Sequence, residues 1–94
     1  MTIEERYQLL RQLIWDYNIP PEDVDAVLRG QKEMAGHYTR EMLFRKLLEC
    51  FPWFTIIQLF TIEEIKYLLS NNVINTLRFE SLRNKYKYVQ KRLQ

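Results

Sequence analysis

The stretch CFPWFTIIQLFTI, Cys50 to Ile62, runs for 13 residues without a charge or a glycine. A membrane span, a buried strand, a core helix and a partner surface are all open to such a segment, and each leads to a different fold. A helix needs about 20 apolar residues to cross a bilayer, so the first reading fails on length. Trp53, Phe54, Thr55, Ile56, Ile57 and Phe60 have good strand propensity. Strict alternation fails, however, because Ile56 and Ile57 are adjacent, as are Leu59 and Phe60. Trp53, Ile56, Ile57 and Phe60 instead fall at i, i+3, i+4 and i+7, one helical face. No second strand candidate is present to pair with the segment, and a lone strand is not stable. The spacing predicts a short, largely buried helix over 52–60, with Pro52 at its first turn. Ile56, Ile57 and Phe60 are expected at the centre of the core, and Trp53 is the member whose indole reaches the surface.

The flanking sequence reads as further helices. Thr2-Ile3-Glu4-Glu5 and Thr61-Ile62-Glu63-Glu64 both have the form of a capping box. The first opens a helix whose apolar positions Ile3, Tyr7, Leu10, Ile14 and Tyr17 recur at helical spacing, and which should end near Tyr17, before Asn18-Ile19-Pro20-Pro21. Pro21 suits the first turn of a second helix, with Glu22, Asp23 and Asp25 complementing its positive end and Gly30 as its stop. Residues 31–38 look like a connection bent at Gly36. Thr39 caps a third helix carrying Leu43, Phe44, Leu47 and Leu48, with Glu41–Arg45 and Arg45–Glu49 spaced to pair. Ser70-Asn71-Asn72 breaks the helix after Thr61 and caps a short one through Val73 and Ile74. Glu80 or Ser81 opens the last helix, whose stripe is Phe79, Leu82, Tyr86, Val89 and Leu93. The expected fold is all-α, a compact orthogonal bundle of six or seven short helices in a single domain over 1–94. Two glycines and three prolines in 94 residues fit that reading better than a turn-rich β protein.

Composition narrows the function classes. Hydrophobic residues make up 47% and charged residues 28% of the chain, the balance of a globular domain and not of a disordered one. A single cysteine and an acidic N-terminus without an apolar leader point to a reducing, cytoplasmic setting. His37 and Cys50 are the only histidine and the only cysteine, too few for a zinc pattern, and no EF-hand spacing occurs. No metal and no cofactor is expected. A Cys50–His37 dyad is open in principle, but Cys50 at the end of an apolar helix reads as a small buried hydrophobe. His37 reads first as a loop or capping residue. There is no Gly-rich phosphate loop, and the paired carboxylates sit where helix N-termini attract them. No catalytic residue is assigned and no enzymatic activity is expected.

Two binding readings survive. The 78–94 segment carries Arg78, Arg83, Lys85, Lys87, Lys91 and Arg92 against Glu80 alone, a net +5 on a chain whose total is +2. Arg83, Lys87 and Lys91 recur at i, i+4 and i+8, with Tyr86 and Tyr88 interleaved. Together with Arg78 and Arg92, such a helix could lie along phosphates or enter a major groove. Residues 61–78 read as helix, polar break, helix, an imperfect helix-turn-helix without the usual glycine. The bland alternative is a solvated basic face. The other reading is protein partnership. Five phenylalanines, six tyrosines and two tryptophans are more than so small a core can hide, and Tyr, Trp and Arg favour interfaces.

Three segments, Ile14–Ile19, Ala35–Glu41 and Pro52–Phe60, together with Leu77-Arg78 and Leu82-Arg83…Lys91-Arg92-Leu93, carry a resemblance over nearly the whole chain. It resembles a family of small uncharacterised bacterial helical proteins often encoded beside nucleotidyltransferase-type toxin genes. The resemblance implies an antitoxin-like or accessory partner of such a toxin and carries over no catalytic residue. The leading expectation is a non-enzymatic protein-interaction module with Trp15, His37, Tyr38, Arg40 and Trp53 as partner contacts. The alternative is a small helix-turn-helix-like DNA-binding regulator using Arg78, Arg83, Lys87, Lys91 and Arg92.

Overall fold

Two threonines start helices by the same device. Thr2 Oγ1 accepts the Glu5 N–H at 3.1 Å while Glu5 Oε1 accepts the Thr2 N–H at 3.2 Å. Thr61 and Glu64 repeat the exchange at 3.2 and 2.9 Å. The Thr2 side chain, and then its backbone N–H, hold the Glu5 carboxyl below the usual glutamate range. The computed structural model describes residues 1–14 and 18–94. In chain order it contains α1 (Ile3–Arg11), α2 (Pro21–Leu28), β1 (Met34–Ala35), β2 (Tyr38–Thr39), α3 (Arg40–Cys50), α4 (Trp53–Leu59), α5 (Ile62–Leu68), α6 (Asn71–Thr76) and α7 (Glu80–Leu93). The molecule is mostly helical, with a radius of gyration of 12.7 Å, against about 12 Å for a compact chain of this length. Among the described residues, no helix is long and apolar enough to cross a membrane.

The local stop and start signals act as their chemistry dictates. Gly30, at φ 80°, follows the Arg29 C-cap of α2. The Gln31 N–H reaches the Ala26 carbonyl at 2.8 Å and the Gly30 N–H reaches Val27 at 3.1 Å, a Schellman ending. Thr39 Oγ1 accepts from the Met42 N–H to start α3, and Ser70 Oγ accepts from Val73 to start α6. Pro52 is the N-cap of α4.

Five expectations are corrected. First, α1 ends at Arg11, not near Tyr17. The Gln12 and Leu13 N–H groups bond three residues back, tightening the last turn, and Leu13 and Ile14 then leave the helix to enter the core. Tyr17 itself lies outside the described residues. Second, the chain is not wholly α. Residues 34–39, read as part of a connection, form a hairpin pairing Met34 with Thr39 and Ala35 with Tyr38. Gly36 has φ 59° and His37 a negative φ, the signs of a type II′ turn. A Cβ on Gly36 would come within 2.6 Å of Ile19 Cδ1, so the turn also seats against the approach to α2. Third, Ile57 is 44% exposed and is not at the core's centre, whereas Ile56 and Phe60 are buried. Helix α4 is one-sided, and Ile57, about 100° around from Ile56, faces away. Fourth, Cys50 is exposed, because Leu43, Phe44, Leu47 and Leu48 take the buried face of α3. Fifth, the Arg45 pairs with Glu41 and Glu49 do not form among the described residues, and Glu49 Oε2 instead accepts the Arg78 N–H at 2.8 Å.

One buried cluster runs through the helices. Leu10, Val24, Val27, Leu43, Phe44, Leu47, Ile56 and Ile65 have no exposed surface. Phe44 and Phe60 meet edge to face at 5.8 Å. Into this cluster, four residues before Leu10, the sequence inserts a charge. Arg6 is 6% exposed, as is Asp25 of α2. Arg6 Nε donates to Asp25 Oδ1 at 2.9 Å, and Nη2 sits 2.8 Å from the same oxygen without the alignment of a hydrogen bond. Nη1 donates to the Leu59 carbonyl at the end of α4, and the guanidinium lies 5.0 Å from the Phe60 ring centroid. Arg29 Nε reaches both Asp25 oxygens at 3.2 Å from the partly exposed side.

Asp25→Ala leaves Arg6 as an uncompensated buried charge and should cost about 3–5 kcal/mol, read from the urea midpoint. Asp23→Ala, which removes the exposed pair with Lys32 at 3.3 Å and one acidic charge from the first turn of α2, should cost about 1 kcal/mol or less.

Candidate interaction surfaces

The hairpin and the first turn of α3 bring three of the expected partner contacts together. His37 is exposed at the turn, its ring 4.2 Å from that of Tyr38 and tilted by 31°. Tyr38 is half-buried, with Lys46 Nζ 5.6 Å from its ring centroid. Arg40 opens α3, where the helix dipole disfavours a cation, and no carboxylate among the described residues lies within ion-pair distance. It is held instead by Tyr67 of α5: the guanidinium sits 4.7 Å from the ring centroid, and Nη2 donates to the phenol oxygen at 3.1 Å. Beside Arg40 opens a hollow of about 360 Å³, bounded by Gly30 to Glu33 and by Thr39 to Glu41. Lys32 and Arg40 balance Glu33 and Glu41 there, so the hollow selects no sign of charge. Helix α3 stands between His37 and Cys50, with His37 before its first residue and Cys50 as its last. Eleven residues at 1.5 Å each separate them by about 16 Å, and no dyad forms. Among the described residues no three His, Cys, Asp or Glu side chains gather in a metal-like group.

A second surface lies on α4. Phe54 is 63% exposed and Ile57 44% exposed. They stand one turn apart, and residues three apart on a helix are neighbours. Trp53, the expected surface member, is half-buried with its ring 6.3 Å from Tyr86. Trp15 lies outside the described residues. Sequence periodicity missed the outward pair because a run that is apolar on every side marks no solvent face. The single sign of it is brevity, since a seven-residue helix offers the core only one side.

The third surface is α7. Tyr86 is fully buried, and Leu82, Val89 and Leu93 pack partly buried beside it, so the helix docks on the core by the predicted stripe. Phe79 leaves that stripe as the exposed N-cap. Gln90 Nε2 donates to the Leu69 carbonyl at 3.0 Å and fixes the helix against the end of α5. Arg83 is not free for a ligand: half-buried, it donates Nη1 to the Leu77 carbonyl at 2.6 Å and closes the turn between α6 and α7. Arg78, Lys85, Lys87, Lys91 and Arg92 are exposed, and none has a carboxylate within ion-pair distance among the described residues. Tyr88 stands out among them at 63% exposure, with Arg92 Cζ 6.0 Å from its ring centroid. On the buried side the Tyr86 hydroxyl has no hydrogen-bond partner, and burial pushes its pKa up.

Comparisons with family models, with curated proteins and with solved structures each returned no match to this chain.

The orphaned Tyr86 hydroxyl generates a stability prediction. The fold holds the phenol neutral, so its folded pKa lies above the ordinary value of 10.0. The associated stability is intact below pH 10 and is lost as pH rises through the tyrosine range. Tyr86→Phe removes an unsatisfied buried group of the same shape. It should raise stability by about 1 kcal/mol at neutral pH and make the alkaline decline shallower, both measured by thermal melts across pH.

Proposed function

We propose that the protein is a non-enzymatic interaction module that docks a partner protein through the outward face of α4. The observation that carries this reading is the exposure of Phe54 and Ile57, one turn apart in the most apolar segment of the chain. Exposing two large apolar side chains side by side is costly unless something covers them. An aromatic–aliphatic pair on a rigid helix is the kind of anchor that dominates interface energetics. The family resemblance suggests the partner: a nucleotidyltransferase-type toxin, with this chain as its antitoxin-like companion in the bacterial cytoplasm. The test is co-expression with the adjacent nucleotidyltransferase-type gene product. A complex should co-elute in size-exclusion chromatography and be lost with Phe54→Asp plus Ile57→Asp. No complex at micromolar concentration counts against the reading.

A second reading has its own observation. Five exposed cations between Arg78 and Arg92 have no carboxylate within ion-pair distance among the described residues, and with Glu80 alone against them in that segment they leave a net positive field. The pattern expected over 61–78 falls on α5 and α6, and the basic helix α7 follows α6 after the three-residue turn Leu77-Arg78-Phe79, an order that a helix-turn-helix reading can use. A nucleic acid would satisfy that field, and the two functions are compatible in one antitoxin-like protein. Lys87→Glu with Lys91→Glu should weaken nucleic-acid binding and lower its salt slope by about 2, measured by fluorescence anisotropy. An unchanged slope removes the second reading.

A further inference from the structure

The nucleic-acid reading leaves open which form of nucleic acid α7 suits, and the distribution of groups along that helix decides between them. In a helix-turn-helix, residues in the first turn of the recognition helix reach the base edges of a duplex. In α7 that turn is poorly equipped. Phe79 caps it without a side-chain hydrogen bond, Glu80 would meet phosphates with a negative charge, and Arg83 is tied to the Leu77 carbonyl. Within α7 itself the free cations begin only at Lys85 and continue to Arg92, while Arg78 lies in the turn before the helix.

What that half of the helix does carry is an aromatic ring framed by charge. Tyr88 is 63% exposed. On a helix its surface neighbours are the residues three and four positions away, here Asn84, Lys85, Lys91 and Arg92. Three of the four are cations, and the fourth, Asn84, is an exposed amide able to donate and accept hydrogen bonds. The buried stripe through Tyr86, Val89 and Leu93 fixes the helix from behind, so the ring is presented on a rigid element. A duplex keeps its base faces stacked inside, so it offers a protruding tyrosine only phosphate and groove edges and no base face to stack on. A single strand exposes both phosphates and base faces, and proteins bind it by pairing a basic track with aromatic stacking platforms.

Resting on the nucleic-acid reading, we infer that the C-terminal half of α7 is a binding site for single-stranded nucleic acid. Tyr88 is the stacking platform for one base, and Lys85, Lys87, Lys91 and Arg92 track the phosphates around it.

The test is fluorescence anisotropy of the full chain with labelled oligo(dT) and oligo(U), and with a duplex of mixed sequence, over a range of salt. Single strands should bind about tenfold or more tighter than the duplex, and Tyr88→Ala should weaken them about 5- to 100-fold. Tyr88→Phe, which keeps the ring, should restore binding, and Tyr67→Ala, which removes another exposed ring, should change nothing. The salt slope on single strands should be about −2 to −3 for the four cations. Duplex binding equal to or tighter than single-strand binding, or a Tyr88→Ala protein that binds as well as the parent, overturns this inference and leaves the nucleic-acid reading standing. No binding to either form at low salt overturns both.

Discussion

The fold depends on where one guanidinium is kept. Arg6 ties three elements that are distant in sequence: its own helix α1, Asp25 in the middle of α2, and the carbonyl at the end of α4. A buried pair of this kind is weak evidence for net stability, because desolvation consumes most of the attraction. Its effect is on uniqueness. Hydrophobic faces of short helices can slide by a turn at little cost, whereas a guanidinium that must meet a carboxylate, a carbonyl and an aromatic face has few acceptable positions. Once α1, α2 and the end of α4 share that point, the orientation of α4 about its own axis follows. Ile56, Leu59 and Phe60 turn inward, and Phe54 and Ile57 are left outside.

The same one-sidedness recurs along the second half of the chain. Helix α6 buries Val73 and Ile74 and exposes Asn71, Asn72, Asn75 and Thr76. Helix α7 buries Tyr86 and shows solvent its cations and Tyr88. Core and surface therefore divide within each element. The outer faces of α4 and α7 differ in chemistry. One presents apolar anchors, the other charge with an interleaved ring.

How much of this could be read in advance follows from the range of each interaction. Both capping boxes, the Gly30 stop, the Thr39 and Ser70 caps and the role of Pro52 are encoded within a few residues, and all were legible. So was the helical nature of 53–59, since strict alternation fails and no strand candidate pairs with it, although the face Trp53, Ile56, Ile57 and Phe60 is not the one buried. The hairpin escaped because strands of two residues are too short to show a period, and only the Gly36-His37 turn could have signalled it. Arg6 and Asp25 escaped because a charged residue on an amphipathic helix is ordinarily exposed, and their partnership spans 19 positions. The position of Arg6, four residues before Leu10 on the core-facing side of α1, was the available hint. Among candidate contacts, the α7 cations stand where the stripe placed them. Arg83, however, is drawn into the turn by a carbonyl that no linear pattern reveals. Trp53 turns toward Tyr86 for the same kind of reason: its neighbour is 33 residues away.

The exposure of Cys50 has a practical side. It is the only thiol in the chain, it stands at the surface at the end of α3, and the adjacent Glu49 holds the backbone of the α6–α7 turn. A maleimide dye or nitroxide attached there would occupy a single defined address without entering the core. It would sit beside the joint that sets the direction of α7, so its mobility would register any occupant that shifts that helix.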